Sequence, residues 1–164
     1  MNGNSNINPE TSIAIIGLHC RFPGADNAQE FWANLASGTE SITFFGEQEL
    51  RTAGIDEETI QDPAYVRAAG MMHNAELFDA EFFGYTPAEA LYIDPQQRVF
   101  LETCWHAIEN AGYNPYTYPG SIAVFGGTRM STYYVNYMCS DLARYGTARF
   151  MQSHIGTDRD HLRG

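Results

Sequence analysis

The stretch "DPQQRVFLETCWHAIENAG", Asp94 to Gly112, decides how the chain is read. Asp94 before Pro95 is a helix start: the acidic side chain can cap an orphan backbone N–H, and a proline at the first helical position lacks only an N–H that would be unpaired there anyway. Gln97, three residues after Asp94, completes the pattern of a capping box. Leu101, Cys104, Trp105 and Ile108 follow at i, i+3, i+4, i+7, which predicts one apolar helical face. Gly112 closes the helix and Pro115 stands just beyond. The spacing therefore predicts a capped, amphipathic helix from Pro95 to about Ala111, with Cys104 and Trp105 in its buried stripe.

The segment before it has the same plan. "TPAEALYI" offers Thr86 as cap, Pro87 at the first helical position and Glu89 three after the cap. Two such starts in succession predict a sharp turn between helices near Ile93. On either side lie short all-apolar runs that end in glycine, "SIAIIG" (Ser12 to Gly17) and "SIAVFGG" (Ser121 to Gly127). A run apolar at every position reads as a strand buried on both faces. Joined through helices, the two predict an α/β fold of mostly parallel apolar strands covered by helices.

Between the first run and Asp94, "RFPGADNAQEFWANLASG" predicts a turn at Pro23-Gly24. A helix follows, with Asp26 or Asn27 as cap, Phe31, Trp32 and Leu35 on one face, and Gly38 at its stop. Residues 39–64 predict at most a short helix. Tyr65 to Met72 reads as a bent strand or hairpin arm. Residues 1–11 are polar and Asn-rich and predict a flexible leader.

Composition narrows the function classes. The chain has 164 residues, 44% of them hydrophobic and 18% charged, with a net charge of −11. The charged share is below the ~25% of ordinary soluble domains, as in a chain that buries extra surface against a partner or further polypeptide. The acidic balance argues against nucleic acid, which requires a basic footprint, and against an anionic membrane surface. No apolar run approaches the ~20 residues of a membrane span. The three cysteines, Cys20, Cys104 and Cys139, are widely spaced and odd in number. They predict no disulfide framework and a reducing compartment, the cytoplasm.

No active site assembles from local chemistry. Bulky Leu18, His19 and Cys20 follow Gly17, where a dinucleotide loop would need further glycines. The histidines His19, His73, His106, His154 and His161 form no HxxxH or HExxH pair, so spacing supports no metal site. Cys104 is mid-helix among apolar neighbours, with nothing to lower its pKa, and reads as packing. Cys20, between His19 and Arg21, has positive charge nearby in sequence, yet adjacent residues in a loop need not meet. Cys20 and Cys139 both read as structural.

Together these segments resemble one family. "IAIIGLHCRFPGA", "EFWANLASG", "LFDAEFFGYTPAEALYIDPQQRVFLETCWHAIENAG", "SIAVFGG" and "IGTDRDHL" are similar, in this order, to the N-terminal part of the β-ketoacyl synthase (ketosynthase) domain of modular polyketide synthases. The resemblance implies the N-terminal half of a thiolase-like layered fold over residues 12–164. The implied activity is decarboxylative Claisen condensation of an acyl thioester with a malonyl-type extender. No cofactor is bound in that chemistry. Acyl chains arrive on the phosphopantetheine of an acyl carrier protein, and the partners are that carrier and a ketosynthase dimer mate or C-terminal half. The family's nucleophile lies in a motif like "TACSSS", placed after the segment that "IGTDRDHL" matches, and its two histidines lie further on. The resemblance therefore assigns no catalytic residue here. It places Thr128, Arg129 and Met130 at the acyl channel and makes Asp94, Pro95, Gln97, Arg98, Cys104 and Trp105 structural. A chain like this is expected to be inactive alone. The alternative is a non-catalytic scaffold, or one half of a split ketosynthase completed by another chain.

Overall fold

Helix α1, Ala28–Ser37, begins where the sequence placed it. In the computed structural model, which describes residues 11–129 and 131–133, the Asn27 side chain accepts the Glu30 N–H, and Gly38 ends the helix at φ 68° in the left-handed region. Only glycine reaches that conformation without steric cost. The Asn34 side chain donates to the Gly24 carbonyl at 2.7 Å and fixes the Pro23-Gly24 turn against the helix.

Residues 39–70 hold more order than their sequence suggests. Strand β1, Ile42–Phe44, leads into helices α2, Glu47–Thr52, and α3, Glu57–Gln61; strand β2, Ala68–Gly70, follows. The two strands pair antiparallel, Ile42 opposite Gly70 and Phe44 opposite Ala68. Leu50 and Ile60 are buried between these short elements. Complete burial of an isoleucine contributes about 1.5–3 kcal/mol. Arg67 ties the unit together, donating to Glu47 at 2.9 Å and to the Ile60 carbonyl at 2.8 Å.

Helix α4, Pro87–Ala90, has the predicted capping box: Thr86 Oγ1 accepts the Glu89 N–H, and the Glu89 carboxylate accepts the Thr86 N–H at 2.8 Å. The turn at Leu91–Ile93 then delivers the chain into α5, Pro95–Asn110. Ile93 is buried. Trp105 holds the middle of α5 to its surroundings, edge-on to Phe82 at 4.7 Å and tilted against Tyr116 at 5.9 Å.

Two expectations need correction. The runs Ser12–Gly17 and Ser121–Gly127 form no ladder among the described residues, whose sheet is the antiparallel β1–β2 pair. Their side chains are exposed, Ile13 at 96% and Phe125 at 92%. An apolar run becomes a buried strand only when neighbouring strands take its backbone groups and cover its faces, and no described segment does so. Both runs lean on α5 instead. A methyl group at Gly17 would run into the Ala107 carbonyl oxygen and lie 2.8 Å from the Ala111 side chain, and one at Gly126 would lie 2.8 Å from the Phe100 ring. The second correction concerns α5 itself. Its buried residues are Gln97 and Arg98, whereas Leu101, Cys104, Trp105 and Ile108 are half-buried. Of these four, Ile108 lines a cleft of about 440 Å³ that Ile15, Ile16, Ala107 and Ile122 also border, while Trp105 packs on Phe82 and Tyr116.

Candidate functional site

Within Asp94 to Arg98, Gln96 and Arg98 reach a loop that sequence alone does not connect to them. Asp94 is buried at the head of α5, where its carboxylate accepts the Gln96 N–H at 2.7 Å. Its carbonyl accepts the N–H groups of Gln97 and Arg98. The cap therefore serves Gln96, and the capping box expected with Gln97 does not form; Gln97 is buried. Pro95 occupies the first helical position as predicted.

Gln96 reaches outward. Its side-chain oxygen accepts the Arg129 N–H at 3.1 Å, 33 residues away. Arg98 turns back across the helix start and donates through Nε to the Ile93 carbonyl at 2.9 Å. Its guanidinium carbon lies 6.0 Å from the centre of the Tyr133 ring, within the range of a cation–π contact. Tyr133 in turn donates its hydroxyl to the Leu91 carbonyl at 2.9 Å. Arg129 is thus tied to the first turn of α5, and Tyr133 to the turn before it. Thr128 is half-buried and Arg129 exposed. Met130 lies outside the described residues, as do Cys139, His154 and His161.

The other end of the site is the loop after the first run. Arg21 Nη1 pairs with Glu102 of α5 at 3.1 Å, and Nη2 donates to the His73 carbonyl at 2.6 Å. The side chain that could have lent positive charge to Cys20 is therefore engaged with a carboxylate. Cys104 is a free thiol whose pKa burial pushes up, the opposite of what a nucleophile needs. Its reading as packing fits this environment. Among the described residues no three His, Cys, Asp or Glu side chains are placed to hold a metal ion, and no helix is long and apolar enough to cross a membrane. Among the described residues the geometry holds the Arg129 loop against α5 and places no nucleophile with a base beside it.

Comparison with known proteins identifies what is being held. Residues 10–159 match the family model described as "Beta-ketoacyl synthase, N-terminal domain". The chain belongs to the β-ketoacyl synthase family. A phenolphthiocerol/phthiocerol polyketide synthase of Mycobacterium tuberculosis is 47% identical over 132 residues, 80% of this chain and 9% of that protein. Polyketide synthase PksN of Bacillus subtilis is 48% identical over 104 residues, covering 63% of this chain and 2% of its own length. Among solved structures, ketosynthase twelve of the bacillaene polyketide synthase of Bacillus amyloliquefaciens superposes with a TM-score of 0.53 at 47% identity, over 58% of this chain and 17% of that one. The ketosynthase from module 6 of the bacillaene synthase of Bacillus subtilis gives 0.53 at 38% identity, over 63% and 17%. These ketosynthases have the thiolase-like α/β fold that the sequence resemblance implied. The present chain spans less than a tenth of the first polyketide synthases it matches and about a sixth of the solved ketosynthases.

Sequence reasoning missed three contacts of the ketosynthase segment. The Gln96–Arg129 bond, the Arg98–Tyr133 contact and the contact of His19 with His106, at 4.7 Å between ring centroids, join positions far apart in sequence, and no local pattern announces them. It missed strand β1 as well, whereas β2 falls within Tyr65 to Met72, read as a bent strand or hairpin arm.

Proposed function

We propose that this chain is the N-terminal part of a cytoplasmic polyketide ketosynthase that joins an acyl thioester to a malonyl-type extender. In that reaction the extender loses CO2, and the resulting carbanion attacks the acyl carbonyl and displaces a thiolate. Both chains are presented on the phosphopantetheine arm of an acyl carrier protein, so the chain itself needs no bound cofactor. Its part is to shape and hold one wall of the acyl channel, with Thr128, Arg129 and Met130 as channel residues. The nucleophilic cysteine and the two histidines are supplied from outside these 164 residues, by further ketosynthase polypeptide, and the assembled enzyme is a dimer.

The observation that carries this reading is the anchoring of Arg129 by Gln96, with Tyr133 tied to Leu91 beside it. Two bonds, to Gln96 and Leu91, tie down Arg129 and Tyr133, and a channel wall requires such fixed positions. The exposed runs favour completion by another polypeptide over a free-standing scaffold with its own packed boundary. Ile13, Ile15 and Phe125 are each more than four-fifths exposed.

The test is condensation by the purified chain supplied with acyl- and malonyl-carrier proteins. No β-ketoacyl product is expected from the chain alone, and product is expected once a polypeptide bearing a "TACSSS"-like motif is added. Turnover by the chain alone would overturn the proposal.

A further inference from the structure

His19 and His106 come from segments 87 residues apart, and their rings lie 4.7 Å apart between centroids with their planes at 35°. The contact sits in the seam where the first apolar run meets α5. Gly17 abuts Ala107 and Ala111 on one side of it. The Leu18 N–H donates to the Asn110 side chain at 3.0 Å, and Arg21 pairs with Glu102 at 3.1 Å.

The charges around the seam are already committed. Glu102 holds Arg21, whose Nε also lies 3.9 Å from Asp26. Glu109 lies 3.2 Å from His106 Nδ1. His73 offers Arg21 its backbone carbonyl, at 2.6 Å. His19 Nδ1 is shielded from solvent and has no hydrogen-bond partner among the described residues. A proton on that imidazole would add charge beside Arg21 and His106, and Nδ1–H would have no acceptor. The neutral ring adds no charge and, protonated at Nε2, leaves only an unpartnered lone pair at Nδ1, the smaller cost.

We propose that the His19–His106 contact is an acid-sensitive latch, which adds to the hold of the first apolar run on α5 while His19 is neutral and loosens that hold when His19 takes a proton, beside the pH-independent contacts of Gly17 and Leu18.

Burial first, then the nearby His106 and Arg21, hold the His19 imidazole below its ordinary value of 6.5. The folded state therefore binds this proton less readily than the unfolded chain. The latch contributes its full stability above about pH 6.5 and loses it as pH falls through the native value. Carboxylate titration lies lower, at about pH 4.5 and below, so the two effects separate.

The experiment follows the 164-residue chain between pH 7.5 and 5.5. The melting midpoint of the unaltered chain is expected to fall by a few degrees, and the fall to be much reduced in His19→Gln. An NMR titration of the imidazole C–H signals supplies a readout that needs no melt. His19 is expected to titrate below ordinary histidine and to move upward in His106→Gln. A midpoint that is flat in the unaltered chain, an equal fall in His19→Gln, or a His19 that titrates at or above the ordinary value would overturn the latch.

Discussion

Arg21 and Glu102 meet at 3.1 Å with side chains 13% and 21% exposed. The pair joins the loop after the first apolar run to the third turn of α5, across 81 residues of chain. Removing one partner leaves the other charge in a partly desolvated seam. Such a loss falls between the ~1 kcal/mol or less of an exposed pair and the ~3–5 kcal/mol of a buried one. Arg21→Ala is expected to destabilise the chain by about 1–3 kcal/mol. A double-mutant cycle with Glu102→Gln in urea checks this, and additive losses would show that the two side chains do not act together.

Gly17 is where that run touches α5 most closely. Gly17→Ala places a methyl group against the Ala107 carbonyl oxygen, a backbone atom that cannot step aside. Overpacking of this kind costs about 1–3 kcal/mol. Gly126→Ala meets the edge of the Phe100 ring instead. A ring can tilt, so the smaller loss is expected there. Denaturant midpoints of the two variants give the comparison.

The bond from the Arg129 N–H to Gln96 can be read one amide at a time. Gln96→Ala removes the acceptor and leaves the cap on Asp94 intact. A single hydrogen bond has a net value of about 0.5–1.5 kcal/mol. Exchange of the Arg129 amide with deuterium is accordingly expected to speed up by about 2–10-fold. Amides in the middle of α5 are expected to keep their rates. Uniform acceleration along α5 would mean that Gln96 supports the helix rather than the loop.

Glu57 accepts from Arg51 at 2.8 Å and from Gln61 at 2.9 Å. The Arg51 bond first, then that of Gln61, pulls the Glu57 carboxyl down to about 2. Because the folded value is depressed, the contribution is present above about pH 4.5 and is lost as pH falls toward 2. The group is exposed and screened by solvent, so the effect on stability is small. Arg51→Ala is expected to return the Glu57 titration, followed by carboxyl NMR, toward the ordinary glutamate value.

The parts legible in the sequence were those whose physics is local. Asn27, Thr86 and Asp94 each cap the helix they precede, because a cap needs only a side-chain oxygen two or three residues from an orphan N–H. Gln97 shows where local reading stops. Its spacing fits a capping box, yet the Asp94 carboxylate took the Gln96 N–H and the Gln97 side chain was drawn inside. Arg98 is further from prediction, since it bonds a backbone carbonyl, and every residue type has one. The runs Ser12–Gly17 and Ser121–Gly127 were read as buried strands from composition. Burial is decided by what lies beside a strand, and among the described residues these runs meet α5 but no strand that pairs with them. The ketosynthase resemblance identified the family, and only the folded structure shows that Gln96 of the DPQQR segment accepts the Arg129 N–H.

The central claim is that this chain frames a ketosynthase channel while the acylated thiol lies elsewhere. Intact-mass measurement tests it most directly, using the chain together with a polypeptide bearing the "TACSSS"-like motif and an acyl thioester donor. The acyl adduct is expected on that polypeptide, with Cys20, Cys104 and Cys139 unmodified and Cys104→Ala loading at the same rate. That substitution is expected to cost only about 1 kcal/mol of stability, through a small cavity. An acyl adduct on a cysteine of this chain, or loss of loading in folded Cys104→Ala, would contradict the account.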